Sequence, residues 1–283
     1  MSTSTEKWRE TIDPFALPLS AYKIEKVMDY PHAGNDVFHV SGIYDGRPCA
    51  AYIKAERQTG ADIRNEISIL RALPYDLKPR LLDWSLDTPV CAVTEERAGQ
   101  RLSVILQDAP SGGSRRYMRP YGAEIAKIHC FDMPCQSVKH RRFFDLPEAE
   151  YMNKYGLDEF AAFLQSRPPA DESRCFVHGD FHYANILWQD GVITAVLDWE
   201  LSGMGVREFD MAWAVLLRPG QTFLKTPEEI ELFLEGYRTR QDFSLRAFVY
   251  YYVLAGAHFY ALGDEDYRRE LGTLMRTVTE RYL

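Results

Sequence analysis

Apolar positions in the first hundred residues fall into short runs bounded by turn residues, the pattern of β-strands. "VFHVSGIY" (37–44) and "CAAYIKAE" (49–56) flank Asp45-Gly46, and "PVCAVTEE" (89–96) reads as another strand. One helix interrupts them, from about Ala61 to Leu73. At about 100° per residue, Ile63, Ile67, Ile69, Leu70 and Leu73 share one arc, with Arg64, Asn65, Ser68 and Arg71 opposite. Beyond "RAGQRL" the pattern turns largely helical, broken by a polar loop, "DAPSGGSRR" (108–116), and by one later hairpin. No internal repeat is present. The change of character within Thr94 to Gly99 divides the chain into a sheet-rich part, 1–96, and a mainly helical part, 97–283. The class is therefore α+β, an antiparallel sheet with one helix followed by a larger helical region.

The hairpin lies in "HGDFHYANILWQDGVITAVLDWE" (178–200). Asp190-Gly191 separates two apolar runs, Ile186 to Trp188 and Val192 to Leu197, and a tight turn there needs positive φ, which Asp and Gly tolerate. Pairing outward from the turn brings Asn185 and Asp198 to nearly facing positions, with Asp180 just upstream. Three hard oxygen donors thus gather at the open end. A carboxylate and an amide there suit Mg²⁺, which keeps waters and phosphate oxygens as its other ligands, and Asp180 is left for a substrate.

Glu66 falls inside the apolar arc of the helix. Either it sits at the core margin with its head reaching water, or, held on the buried face, it needs a cationic partner. Lys54, on the strand leading into that helix, is the candidate, and such a pair would hold the ammonium toward phosphate oxygens.

Composition narrows the class. With 283 residues and 46% hydrophobic content the chain has ample core for one large domain or two lobes. A formal net charge of −8 argues against nonspecific binding to nucleic acid, which rests on lysine and arginine. The most apolar stretch, "AFVYYYVLAGAHFYAL" (247–262), is 16 residues long and reads as a buried helix, not a membrane span. Cys49, Cys91, Cys130, Cys135 and Cys175 form no CxxC pair, and the start carries no basic stretch followed by an apolar run. A reduced, cytoplasmic protein without a secretory leader is expected.

Lys54 on a strand, Glu66 on the next helix, Asp180 and Asn185 five apart, and Asp198 eighteen beyond Asp180 are together similar to the protein-kinase arrangement. The local sequences resemble the aminoglycoside phosphotransferase and choline kinase-like family more closely. His178-Gly179-Asp180-Phe181-His182-Tyr183-Ala184-Asn185 matches its HGDxHxxN loop, Asp198-Trp199-Glu200 its metal segment, and Asp210-Met211-Ala212 the element that follows. "GAEIAKIH" (122–129) matches the helix before the loop. The likeness runs from about Gly34 to Ala214 and is specific between 175 and 214.

The resemblance implies a two-lobed protein-kinase-like fold and a Mg²⁺-dependent kinase that uses ATP or GTP on the hydroxyl of a small molecule. It implies Asp180 as catalytic base, Asn185 and Asp198 as metal ligands, Lys54 on the α- and β-phosphates with Glu66 behind it, and His178 and Asp210 as braces of the loop. The base would hang on the connector Thr94, Glu95 and Glu96, and Gly34 and Asn35 stand where a phosphate loop is expected. That loop departs from a glycine-rich pattern and carries Asp36.

Two other readings compete with a kinase. A catalytically silent nucleotide-binding protein need keep none of these five residues. A hydrolase built on His178, Asp180 and His182 leaves Lys54 and Glu66 unexplained.

For the acceptor, the acids of 145–173 (Asp145, Glu148, Glu150, Asp158, Glu159, Asp171, Glu172), with Glu228, Glu229, Glu231 and Glu235 and then Asp264, Glu265 and Asp266, suggest an amine-bearing alcohol such as an aminoglycoside or choline if they line the cleft. Facing water, they would say nothing about it.

Overall fold

The computed structural model describes residues 11–31, 34–57, 62–107, 113–170 and 172–283. The expected helix start at Ala61, residues 108–112 of the polar loop, His32 and Ala33 of the phosphate-loop segment, and Asp171 lie outside them. Two compact units result: Met1–Ala98 with Ala195–Leu201, and Gly99–Thr194 with Ser202–Leu283. A cut after residue 96 does not anticipate the return of 195–201 to the first unit.

The first unit is built on a five-stranded sheet. Its strands are β1 (Tyr22–Asp29), β2 (Asp36–Tyr44), β3 (Arg47–Ala55), β4 (Leu81–Ser85) and β5 (Cys91–Glu95), in the order β1-β2-β3-β5-β4, with every pair antiparallel. The β2–β3 hairpin turns at Asp45-Gly46, where φ is 50° and 73°, as an Asp-Gly turn requires. Phe38 and Val40 of β2 and Ala51, Ile53 and Ala55 of β3 alternate into one core with Leu82, Cys91 and Val93. The opposite face carries Ala92, which joins Val90 in packing against Ile63 and Ile67 of helix α1 (Ile63–Ala72). Lys54 pairs with Ala92 in register, so it shares the face that α1 covers.

The helix is shorter than its sequence pattern at both ends. Asp62 caps it by accepting from Asn65 N at 3.1 Å, and Leu73 closes it. Strands β1 and β4 escape the sequence pattern. β1, at the sheet edge, buries only Tyr22, and β4 buries Asp83, which accepts from the amides of Ser20, Ala21 and Tyr22 at 2.6–2.8 Å.

The second unit is mainly helical. Among its described residues, β6 (Gln100–Arg101) and the hairpin of β8 (Ile186–Gln189) and β9 (Val192–Val196) form one small sheet. Strands β7 (Arg174–Val177) and β10 (Gly203–Val206) form another. Asp190 and Gly191 turn the hairpin at φ 52° and 81°. A short helix α2 (Leu102–Ile105) precedes α3 (Arg115–Ile128), which packs on α7 (Pro227–Arg238). That contact is backbone-close. A Cβ on Gly122 would lie 1.9 Å from Phe233 O, and one on Gly236 would lie 2.1 Å from Arg119 O.

Helices α4 (Ala149–Lys154), α5 (Asp158–Ser166), α6 (Arg207–Val215), α8 (Leu245–Phe259) and α9 (Glu265–Tyr282) complete the unit. The tyrosine-rich stretch forms α8, buried from Ala247 to Ala257, and among the described residues no helix is long and apolar enough to cross a membrane. All five cysteines are free thiols.

Candidate active site

Lys54 is the centre of the first unit's polar cluster. Its Nζ lies 3.0 Å from Glu66 Oε2, 2.6 Å from Asp198 Oδ1 and 2.9 Å from Glu200 Oε2. Strand register aims the ammonium at α1, and the periodicity of α1 returns Glu66 to it. Asp198 arrives with the 195–201 segment in the left-handed region at φ 65°, a conformation that short polar side chains reach at modest cost. Glu66 is tied at both oxygens, since Oε1 accepts from Trp199 N at 3.2 Å. Asn35 Nδ2 donates to Glu200 Oε2 at 3.1 Å, and Asn65 Nδ2 donates to Glu200 O at 3.0 Å.

One ammonium among three carboxylates leaves an excess of negative charge. Burial alone would lower the Lys54 pKa, but the charges of Glu66, Asp198 and Glu200 outweigh it and hold the ammonium well above its usual range. Burial pushes the Glu66 carboxyl up, opposed by Lys54 and reinforced by Asp198 and Glu200. Glu66, Asp198 and Glu200 each offer an oxygen within 4.8 Å of the others, a hard-oxygen set that fits a divalent cation such as Mg²⁺.

Asp36, whose charge would be out of place beside phosphates, is fully buried. Its carboxylate accepts from Tyr30 Oη at 2.5 Å, Arg57 Nη1 at 3.2 Å and Ile12 N at 3.3 Å. Gly34 precedes Asn35 at φ 93°. At the connector the structure limits one expectation. Glu95 N donates to Arg80 O at 2.9 Å and Glu96 N to Ala50 O at 3.2 Å, so these two amides serve the sheet and are not donors for a nucleotide base. Thr94 Oγ1 donates to Tyr52 O at 3.5 Å, and the Glu95 and Glu96 side chains pair with Arg97 and His39.

The second unit carries the loop 178–185. Gly179, at φ 81°, turns the chain between buried His178 and half-buried Asp180. Asp210 on α6 pins this turn, its Oδ2 accepting from His178 N and its Oδ1 from Gly179 N at 3.0 Å each, and His129 Nε2 lies 3.2 Å from the same Oδ2. His178 Nδ1 accepts from Asp180 N at 3.2 Å, and Ser202 Oγ donates to His178 O at 2.9 Å. His178 therefore braces backbone.

The Asp180 carboxylate is held by side chains. Trp213 Nε1 donates to Oδ1 at 2.7 Å, Asn185 Nδ2 donates to Oδ2 at 3.2 Å and to the Asp180 carbonyl at 3.0 Å, and His182 Nε2 stands 3.5 Å from Oδ2. Asp210 and Trp213 are three apart on α6, so one helix face supplies both the brace and the donor. Burial would raise the Asp180 pKa. The hydrogen bond and charge of His182, the charge of Arg218 and the Trp213 hydrogen bond reverse this and bring it to about 2.

Four contributors were not singled out for these roles from sequence. Trp213 is an aromatic on a mainly apolar helix, with no sequence mark of its own, and Glu200 enters only as the last residue of the Asp198-Trp199-Glu200 segment. Arg141 donates to Gly179 O at 2.7 Å, and Arg218 donates to Leu216 O and Trp213 O at 3.1 and 3.0 Å. Both arginines lie in loops, where periodicity gives no signal.

Glu159 pairs with Arg276, Glu231 with Arg281, Glu235 with Arg119 and Asp266 with Arg269, at 2.5–2.6 Å. Glu229 and Asp264 cap α7 and α9, and Glu172 accepts from Tyr251 Oη. These seven acids are committed to arginines, caps or a buried tyrosine.

A model of the phosphotransferase enzyme family matches residues 50–251. The chain belongs to this family. The matched span contains Lys54, Glu66, Asp180, Asn185, Asp198 and Asp210. Solved phosphotransferases share the fold at low identity. Spectinomycin phosphotransferase APH(9)-Ia, in complex with ADP and spectinomycin, is 13% identical over 90% of this chain and 89% of that one, with a TM-score of 0.58.

A thermostable aminoglycoside phosphotransferase APH(4)-Ia, with ADP and hygromycin B, is 15% identical over 91% and 94%, TM-score 0.57. Choline kinase from Cryptosporidium parvum Iowa II is 15% identical over 96% and 90%, TM-score 0.52. The phosphotransferase fold is thus the protein-kinase-like, two-lobed α+β class. Among curated proteins, acyl-CoA dehydrogenase family member 11 of Gallus gallus is 39% identical over 61 residues, a stretch covering 20% of this chain and 8% of that protein.

Proposed function

We propose that this phosphotransferase is a kinase that moves the γ-phosphoryl group of ATP or GTP to a hydroxyl of a small molecule, with Mg²⁺. The observation that carries the reading is the Lys54 cluster: three carboxylates from two distant parts of the sequence around one ammonium, a charge excess that a divalent cation bound with phosphates would offset. Lys54 would turn from Asp198 toward phosphate oxygens, with Glu66 keeping it in place, and Asp198 and Glu200 would hold the metal. Asn185 spends its amide nitrogen on Asp180, and its carbonyl oxygen is the atom the metal role would use. Held there, Mg²⁺ would neutralise phosphate charge during the transfer.

Asp180 would accept the proton of the acceptor hydroxyl as the acceptor oxygen bonds to phosphorus and the bond to the β-phosphate oxygen breaks. A carboxyl with a pKa of about 2 is a weak base. That suits a loose transition state, in which the proton leaves late and positioning does most of the work. Trp213 and Asn185 fix both carboxylate oxygens, and Asp210 fixes the turn that carries them. A ligand that binds only the native state raises stability by mass action. Thermal unfolding with Mg²⁺ and millimolar ATP or GTP should therefore shift upward, and an unchanged transition would refute the kinase reading.

A further inference from the structure

The neighbourhood of Asp180 has the wrong charge for a cationic acceptor. Arg141 and Arg218 both stack on Trp213, with guanidinium carbons 5.1 Å from its ring centroid, and Trp213 is the residue that donates to Asp180. Arg218 also lies over Phe259 and Tyr183, and Arg141 over Phe144 and Phe209. Neither forms an ion pair with a carboxylate among the described residues. Their hydrogen bonds go to main-chain carbonyls, one from Arg141 and two from Arg218, out of five donors each.

Arg142 follows, exposed and stacked on Phe143, again with no carboxylate partner among the described residues. Through space, the Asp180 carboxylate acts on both arginines and that of Asp210 on Arg141. Asp210 is consumed by His129 and two amides, and Asp180 is held by Trp213, Asn185 and His182.

A partly desolvated guanidinium without a directly paired carboxylate is costly, and planar oxyanions are its best partners. Phe143, His258 and Phe259 meet edge-on or tilted beside Trp213 and offer apolar surface.

We propose that the acceptor is a hydroxy compound with an oxyanion group, a carboxylate or a phosphate, on an apolar body, its hydroxyl at Asp180 and its anion on Arg218 with Arg141 and Arg142. This rests on the kinase reading and narrows its acceptor, replacing the amine-bearing alcohol expected from the acidic segments. Arg218 is then a specificity residue.

The test is nucleoside diphosphate release with Mg²⁺ and ATP or GTP over four acceptor sets: aliphatic and aromatic hydroxy acids, their methyl esters, hydroxy compounds bearing a phosphate, and aminoglycosides with choline. Acids or phosphate-bearing compounds should turn over, and whichever of the two does names the anion. Charge-assisted hydrogen bonds set the scale, so an ester should lose about 10- to 100-fold in kcat/KM against its acid. Arg218→Gln should raise KM for the anionic acceptor about tenfold with little change in kcat, and should erase the acid-to-ester preference.

Arg142→Gln, a surface change, should raise the same KM by a smaller factor and serves if Arg218→Gln fails to fold. Turnover of amines or esters in preference to acids would overturn the proposal. So would a fall in kcat shared by every acceptor in Arg218→Gln, which would place the arginine on the transferred phosphoryl group. If Mg²⁺ and nucleotide fail to stabilise the wild-type protein, the kinase reading itself fails and takes the proposal with it. Nucleotide stabilisation without turnover of any anionic acceptor defeats the acceptor assignment alone.

Discussion

Around Lys54 one cation meets three carboxylates, and around Asp180 one weakly basic carboxylate meets Trp213, His182 and two stacked guanidiniums. The same residue types thus give opposite local fields in the two units. The first is short of positive charge, which a metal ion would supply. The second is short of negative charge, which an acceptor's anion would supply. A net charge of −8 for the whole chain conceals both, because the surplus acids pair with surface arginines or cap helices. Local charge balance around a named side chain is the better guide to a ligand than the sum over the sequence.

The contrast can be broken most severely at Lys54. Lys54→Met leaves Glu66 buried with Asp198 and Glu200 and no cation, and should destabilise the protein by about 3 kcal/mol in urea titration near neutral pH. The pH dependence has a definite sign. Glu66 already titrates above its ordinary 4.5, and losing Lys54 raises it further. A carboxyl whose folded pKa lies above its unfolded one regains stability as pH falls toward the folded value. The deficit should therefore shrink at pH 5 relative to pH 8, and a constant deficit would mean that packing, not charge, is lost.

Trp213→Phe keeps a ring for the arginines to stack on but removes the donor to Asp180. Turnover should fall about tenfold, the scale of a hydrogen bond to a charged group. Asp180 also reports through acid unfolding. Its pKa is depressed, so its contribution to stability is present above the unfolded value of about 3.9 and disappears as pH falls toward 2. In Trp213→Phe that loss should be smaller and complete at higher pH, as an acid titration followed by circular dichroism would reveal.

The smallest effect is expected at Asp198, which is 36% exposed. Asp198→Asn removes one of three mutually repelling carboxylates, and without ligands the protein should gain up to about 1 kcal/mol, the usual trade between site chemistry and stability. A clear destabilisation in thermal unfolding would show that the Lys54–Asp198 bond outweighs the repulsion.

Much of this was legible where a side chain broke its own pattern. Glu66 interrupts an apolar arc and does meet Lys54, and the Asp-Gly turns at 45–46 and 190–191 take the positive φ that their residues permit. Elements whose logic is tertiary were not legible. β1 lies at the sheet edge with a single buried residue and shows no apolar alternation, and β4 carries a buried Asp83 whose partners are amides some sixty residues away. Trp213 looked like core because it is core, and only its indole N–H, aimed at Asp180, sets it apart. The basic run Lys139 to Arg142 stood in plain sight. Without the loop geometry that stacks Arg141 on Trp213, it reads as a solvated stretch.

The division of labour between the two units is tested most directly by calorimetric titration of Mg²⁺-nucleotide into wild type, Asp198→Asn and Asp180→Asn, with nucleoside diphosphate release measured on the same samples. Asp198→Asn should lose metal-dependent nucleotide affinity. Asp180→Asn should bind as wild type does while turnover falls about 10²- to 10⁴-fold, the range for a positioned general base. Equal loss of nucleotide affinity in both variants, or undiminished turnover in Asp180→Asn, would contradict the assignment of the metal-phosphate role to the Lys54 cluster and the acceptor role to Asp180.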